Sequence, residues 1–318
     1  MMREIFILAL SACVLSAVFC AVLIPVLKKK RAGQYILGYV KEHLDKSGTP
    51  TMGGLAFAAA AVIVAAAAGL FADRLSAVSV TLGLVFLAVG FIDDYLKFRF
   101  HRNLGLRAYQ KIIFQVAVAA IAGCFCYLNG MTVLNIPFTD RAVDIGWGIV
   151  PLSMLAFLAT VNSVNLTDGL DGLAASVSFW YFAGFALLIV LQVGTRTSLV
   201  RLALILCGVL AGYLLFNTNR ASLFMGDTGS LCLGGFAASV AVFTGNTLYI
   251  IPIGIMFAVS SISVIIQVIY YKRTKKRIFL MAPLHHHFQM KGYSESKIVY
   301  AYSLITVVAG LLCACFVQ

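Results

Sequence analysis

The chain has 318 residues, of which 61% are hydrophobic and 11% charged, and its mean hydropathy is +0.97. Soluble domains carry about 25% charged residues, so an ordinary soluble globule is excluded. Apolar stretches of about 20 residues recur from end to end, which fits a polytopic all-α membrane protein and not an outer-membrane barrel with alternating strands.

Hydropathy predicts ten helices. The first covers roughly residues 3 to 27. Its basic cluster Lys28-Lys29-Lys30-Arg31 follows the apolar run instead of preceding it, so it reads as a retained span and not as a signal peptide. The segment KSGTPTMGG then combines Lys46, Thr49, Thr51, Gly53 and Gly54 ahead of a second span at roughly 51 to 72, whose alanine run offers a packing surface. Taken alone, that segment also reads as a capped helix start after Pro50.

A third span, roughly 75 to 92, is closed by FIDDYLK. The spacing of Asp93, Asp94 and Lys97 places both acids beside the lysine on one helical face. After a loop that ends at Lys111, the fourth span runs roughly 110 to 128. The segment from Asn129 to Trp147 predicts a short hairpin around Pro137. The fifth and sixth spans, roughly 148 to 164 and 172 to 192, are joined by NSVNLTDGLDGL, which carries Asn162, Asn165, Asp168 and Asp171. The seventh and eighth, roughly 198 to 216 and 229 to 244, are joined by a segment holding Asp227 in FMGDTGS. There Gly226 and Gly229 leave room for a close backbone approach, and Thr228 and Ser230 can cap or coordinate.

The ninth span, roughly 247 to 271, ends in a basic cluster and is the expected wall of a groove for an apolar lipid tail. The next loop contains His285, His286 and His287, and a tenth span follows at roughly 297 to 316. Three adjacent histidines do not chelate one metal comfortably from a helix, so phosphate or sugar oxygens suit them better than zinc. The eight cysteines all lie in apolar stretches without a CxxC pair and read as small core residues.

With ten spans, alternate loops share a side, and one side holds 19 of the 24 lysines and arginines. The positive-inside rule makes that side cytoplasmic and puts both termini outside. The net charge of +12 therefore follows the membrane and implies no nucleic-acid partner. The whole of residues 1 to 318 is expected to form one membrane domain. Asp93, Asp94, Asp168, Asp171 and Asp227 all fall on the cytoplasmic side. Each cluster alone reads as helix capping, but gathered on one face they would repel one another unless a cation joined them. Oxygen-only ligands favour Mg²⁺, and the surrounding cations suit a phosphate substrate.

KSGTPTMGG, DDYLK, NLGLRAYQK, NLTDGLDGL, LFMGDTGS and APLHHHF together resemble, in this order and over nearly the whole chain, the phospho-N-acetylmuramoyl-pentapeptide transferase family. The resemblance implies a multi-pass homodimer of the bacterial inner membrane that joins UDP-MurNAc-pentapeptide to undecaprenyl phosphate with Mg²⁺, giving lipid I and UMP. It implies Asp93, Asp94, Asp227 and His285 as catalytic groups, with Asp227 also the metal ligand, and Lys97 and Lys111 lining the same site. The substrate pocket it implies is made by Lys46, Thr51, Asn165, Asp168, Gly169, Leu170, Asp171, Asn217, Phe224, Gly226, His286 and His287. Phe224 would stack uracil while the Gly169-Leu170 backbone and Asp171 bond its edge. Gln289, where the pattern has Glu, and Ala301, where it has Arg, depart from the family. A sister enzyme using another UDP-sugar shares the aspartate motifs but not the TPTMGG and triple-histidine segments. A transporter would place its ionisable groups near the midplane and not at the cytoplasmic edge.

Overall fold

The computed structural model describes residues 2–30, 48–100, 105–139, 141–192 and 197–316. It is an all-α membrane protein. Its helices are α1 (Met2–Lys29), α2 (Gly54–Ala67), α3 (Arg74–Phe100), α4 (Ala108–Leu128), α5 (Ile149–Thr167), α6 (Leu173–Leu191), α7 (Thr197–Asn217), α8 (Gly226–Phe243), α9 (Ile250–Ile253), α10 (Ile255–Thr274), α11 (Leu284–Met290) and α12 (Glu295–Cys315). Among the described residues nine helices are long and apolar enough to cross a membrane, and the shorter apolar α2 corresponds to the second predicted span. The predicted hairpin is present as β1 (Val133–Asn135) paired antiparallel with β2 (Ala142–Asp144). No disulfide joins any of the eight cysteines.

Three boundaries differ from the hydropathy reading. The second predicted span stops at Ala67, and Gly69, at φ +69°, turns the chain into a single 3-10 turn at Leu70–Ala72. Helix α3 runs on to Phe100, so Asp93 and Asp94 sit inside the helix and do not close it. Hydropathy lost α3 there because the added turns carry Lys97 and Arg99. The ninth predicted span is broken into α9 and α10 at Gly254, which ends α9 and starts α10; glycine is a weak helix former.

Helix α8 is the centre of the molecule, with every residue from Thr228 to Phe243 buried. Helices α2, α3, α5 and α6 pack around it. Small residues set the approach: a Cβ on Gly234 would meet Val161 of α5, and one on Gly235 would meet the Phe86 ring of α3. Helix α1 lies on α7 by the same device, with Gly208 and Gly212 facing the carbonyls of Ala9 and Cys13. Glycines four apart bring two helix backbones together in this way. The outer helices expose Phe6, Leu10, Ile113, Ile121, Leu128 and Leu311, as suits surfaces that meet hydrocarbon. This packing places the start of α8 against α3 and the end of α5.

Candidate active site

The first turn of α8 carries Asp227, and α3 presents Asp93 and Asp94 to it. Gly90 allows this, because a Cβ at that position would collide with the main-chain carbonyl of Asp227. Asp94 is buried, and its Oδ2 accepts from Thr228 N at 2.8 Å and Thr228 Oγ1 at 2.7 Å. It thus caps α8 from another helix, satisfying one of the N–H groups that a helix start leaves open. Asp93, also buried, accepts the Leu106 N–H at Oδ1 at 2.7 Å. Gly105 fits there because a Cβ would lie 2.5 Å from that oxygen.

Two lysines hold the three carboxylates together. Lys97 Nζ lies 2.6 Å from Asp93 Oδ2, 3.6 Å from Asp94 Oδ1 and 3.1 Å from Asp227 Oδ2. Lys111 Nζ, from the start of α4, lies 3.0 Å from Asp93 Oδ2 and 2.5 Å from Asp227 Oδ2. The other oxygen of Asp227 accepts from Asn165 Nδ2 at 2.9 Å, and the same amide donates to Ser230 Oγ at 2.8 Å. One carboxylate oxygen from each of Asp93, Asp94 and Asp227 comes within 4.8 Å of the others. An all-oxygen donor set of this size fits Mg²⁺, and the ammonium groups already on it show that the pocket draws cations.

The TPTMGG segment builds the wall of this site through its backbone. Phe224 N donates to Pro50 O at 2.8 Å, Gly53 N to Phe224 O at 2.8 Å and Gly54 N to Met225 O at 3.2 Å. Gly226, at φ +67°, turns the chain into α8; a Cβ there would meet the Asp94 carboxylate and stand 2.7 Å from Thr51 Oγ1. The Phe224 ring is half-buried beside this ladder. Lys46 lies outside the described residues. Asn217 is 3% exposed; it donates to Leu223 O at 3.0 Å and accepts from Gly172 N at 3.2 Å. Its amide ties the two candidate nucleotide loops together. Asn217→Ala is expected to lower stability by about 2 kcal/mol, since both partners lose their bond in a buried place, and a thermal melt in detergent reads this as a clear drop in Tm.

Asp168 caps the C-terminal end of α5. Desolvation pushes its carboxyl well above the ordinary range, and the charges of Asp227, Asp94 and Asp171 push the same way. Asp171 is buried and accepts the Ala221 N–H at 3.0 Å, while its own N–H donates to Glu295 at 3.1 Å. Leu170 is buried behind it. Gly169 touches the histidine segment, where a Cβ would stand 2.8 Å from His286 Nε2 and collide with His285.

His285 is fully buried, and neither of its ring nitrogens has a hydrogen-bond partner among the described residues. Burial, with a smaller contribution from His286, holds its pKa down at about 3. It is a neutral imidazole at physiological pH, and its two unmet nitrogens face the cost that burial imposes on bare polar groups. His287 packs edge-on against Phe279 and Phe288.

The site therefore joins residues the sequence placed in four separate loops: Asp93, Asp94, Lys97, Lys111, Asn165 and Asp227 in one cluster, with Gly169 against His285 and His286. Sequence reasoning missed Gln115 and its bond to Asn162, Nδ2 to Oε1 at 2.7 Å between α4 and α5. It also missed Gln267, which clamps the backbone of Ile278 and Phe279. A lone Gln within an apolar helix was the available signal, since such a group needs a partner.

Residues 75–245 match the model of glycosyl transferase family 4, and residues 46–57 match signature 1 of phospho-N-acetylmuramoyl-pentapeptide-transferase. The chain is 40% identical over 307 residues to the phospho-N-acetylmuramoyl-pentapeptide-transferase of Clostridioides difficile (strain 630), covering 94% of each. It is 40% identical over 316 residues to that of Thermoanaerobacter sp. (strain X514), covering 98% of each. The Staphylococcus aureus (strain Newman) protein of that name is 39% identical over 317 residues, with 97% of this chain and 98% of the relative covered.

Proposed function

This chain belongs to the phospho-N-acetylmuramoyl-pentapeptide transferase family, whose members make lipid I in peptidoglycan synthesis, and on that premise we propose how its acidic cluster carries out the transfer. The donor is UDP-MurNAc-pentapeptide and the acceptor undecaprenyl phosphate. An oxygen of the lipid phosphate attacks the sugar-linked phosphorus of the donor, forming the new P–O bond of lipid I while the bond to the bridging oxygen breaks and UMP leaves.

The observation that supports this reading best is the convergence of Asp93, Asp94 and Asp227 with Lys97 and Lys111. Asp227 is the principal ligand for Mg²⁺, with Asp93 and Asp94 beside it. When bound, Mg²⁺ supplies charge neutralisation on the diphosphate and a template for in-line attack. Lys97 and Lys111 exchange carboxylate oxygens for phosphate oxygens and hold the substrates in line. A phosphate monoester, with a second pKa of about 6, is already mostly ionised at neutral pH and needs little help from a base.

Asp93 orients the acceptor and is not itself a nucleophile. One of its oxygens is bonded to the Leu106 N–H and the other is paired with both lysines. Asp94 holds the start of α8 in place. Phe224 stacks uracil, with Gly169, Leu170, Asp168 and Asp171 along its edge and Thr51, Lys46 and Gly226 toward the phosphates, while His285 offers its buried nitrogens to the donor. Asn217 shapes this pocket from behind. The prenyl tail lies along α10, whose Ile262, Ile265, Ile266 and Ile269 are exposed on one side. The basic loops favour a site on the cytoplasmic face, in keeping with an inner-membrane enzyme, and the family resemblance implies a homodimer.

Release of UMP by the purified protein tests the reading. UMP is expected only with donor, undecaprenyl phosphate and Mg²⁺ together, and EDTA should abolish it. UMP from UDP-GlcNAc alone would assign the chain to a sister specificity, and full activity in EDTA would remove the metal from the reaction.

A further inference from the structure

Helix α4 lies at the outside of the molecule, with Tyr109, Ile112, Ile113, Phe114 and Ile121 exposed. It nevertheless supplies Lys111, whose ammonium is paired with Asp93 and Asp227. One turn further along α4 sits Gln115, which is 1% exposed. Its Oε1 accepts from Asn162 Nδ2 of α5 at 2.7 Å, and its Nε2 faces Asn162 Oδ1 at 3.5 Å. Asn162 Nδ2 also donates to Leu158 O at 2.8 Å. A carbonyl oxygen only accepts. The Asn162 amide therefore has one orientation, with its NH₂ toward Leu158, and Gln115 Oε1 is fixed as the second acceptor facing it.

The place of this bridge matters. Asn162 directly follows Val161, whose Cα would lie 2.5 Å from a Cβ on Gly234 of α8. Helix α5 is thus seated on the central helix at the residue before the one that grips α4. Three residues further along α5, Asn165 Nδ2 donates to Asp227 Oδ1 at 2.9 Å, and Lys111, four residues before Gln115, pairs with Asp227 Oδ2. Residues three and four apart share a helix face. One oxygen of Asp227 is therefore held from α5, and the other from α4 as well as by Lys97, one turn from the bridge that joins those helices. At the far end a Cβ on Gly123 of α4 would stand 2.8 Å from Val150 O of α5, so α4 is pinned to α5 at two heights.

We propose that Gln115 is a positioning residue for the transfer: its amide bond to Asn162 carries the position of α8 through α5 to α4 and holds Lys111 at the reach that Asp227 and the reacting phosphates need. A buried amide pair is also ordinary glue between spanning helices, and the two roles predict different things. Glue sets stability, whereas a positioning residue sets kcat through Lys111. The bridge stands on geometry alone; its link to turnover rests on the function proposed above.

Steady-state UMP release and a thermal melt, both on the full-length protein in detergent, test it. Gln115→Leu keeps the bulk of the side chain and removes the amide. It is expected to lower kcat about tenfold and to leave the KM for UDP-MurNAc-pentapeptide within about twofold, since a shift of about 1 Å in a working group costs up to about 10²-fold in rate. In a Lys111→Met protein the same change should alter kcat by less than about twofold, because residues that act as one unit are not additive. Gln115→Asn alone, too short by one methylene group to close the pair, should lose kcat as Gln115→Leu does. Combined with Asn162→Gln it regains the summed length of the two side chains and should recover most of that loss.

A Gln115→Leu enzyme with the wild-type kcat overturns the proposal. So does an equal drop in the Lys111→Met protein, which would mean that Gln115 acts through stability or another group. If Gln115→Leu does not fold, Gln115→Asn takes its place with the same expectations. A wrong donor assignment shows already in the wild-type protein, as no UMP from that donor, and the variants are then compared with the UDP-sugar that does release it.

Discussion

Replacing Asp227 by alanine is expected to lower Mg²⁺-dependent UMP release by about 10³-fold, the upper range for removing one prepositioned electrostatic group from an active site. Asp227 is the point at which the cluster meets. Oδ2 is in contact with both lysines and Oδ1 with the Asn165 amide. Without it, Lys97 and Lys111 keep only the carboxylates of α3 as partners, and the most accessible of the three acids is gone, because Asp93 and Asp94 have side chains 0% and 4% exposed against 16% for Asp227. The helix itself should survive, since Thr228 still caps onto Asp94. Asp227→Asn keeps the shape and the bond to Asn165 but not the charge, and should lose nearly as much. Steady-state UMP release at several Mg²⁺ concentrations, beside a thermal melt, separates chemistry from folding. An alanine enzyme within tenfold of wild type would sink the metal assignment.

Gly90→Ala is the second large effect. The added methyl group points at the carbonyl carbon and oxygen of Asp227, which belong to the backbone of the central helix and cannot rotate away. Overpacking of this kind costs about 1–3 kcal/mol. The functional loss should exceed the structural one, because α3 carries Asp93, Asp94 and Lys97, and a shift of about 1 Å in reacting groups can cost about 10²-fold in rate. Gly83→Ala, on the same helix, is the comparison. The three atoms nearest its methyl group would all belong to the Phe236 ring, a side chain with some freedom to tilt. We expect Gly83→Ala to be as unstable as Gly90→Ala or less so, and far more active. Equal activity of the two proteins would mean that the α3 to α8 distance does not control the chemistry.

The membrane spans were legible in the sequence because lipid reads each helix separately, so apolar length alone reveals them. The Asp93, Asp94 and Lys97 face was legible for a related reason, as it depends only on helical spacing. Pairings across the chain left no such local mark. Nothing near Asn217 shows that its amide is spent on Leu223 and Gly172, and TPTMGG reads as a helix start when its main work is a backbone ladder to Phe224 and Met225. The end of α3 was misread because hydropathy treats Lys97 and Arg99 as an exit from the membrane, whereas Lys97 turns back onto three carboxylates. Gly208 and Gly212 carry a spacing that could have announced the α1 to α7 contact, though not the partner.

Because α8 touches protein along its whole length and on every side, lipid has no direct grip on it. A bilayer that thickens, thins or changes its headgroups acts on the outer helices, which can tilt or slide to match it. The tip of α8 is held by Gly54, Gly90 and Asp94, contacts that contain no lipid. The clustered carboxylates are therefore referenced to the protein's own axis and not to the membrane surface, like an instrument on an isolated mount. The enzyme can work on a water-soluble donor and a membrane-bound acceptor while the boundary between the two phases fluctuates around it.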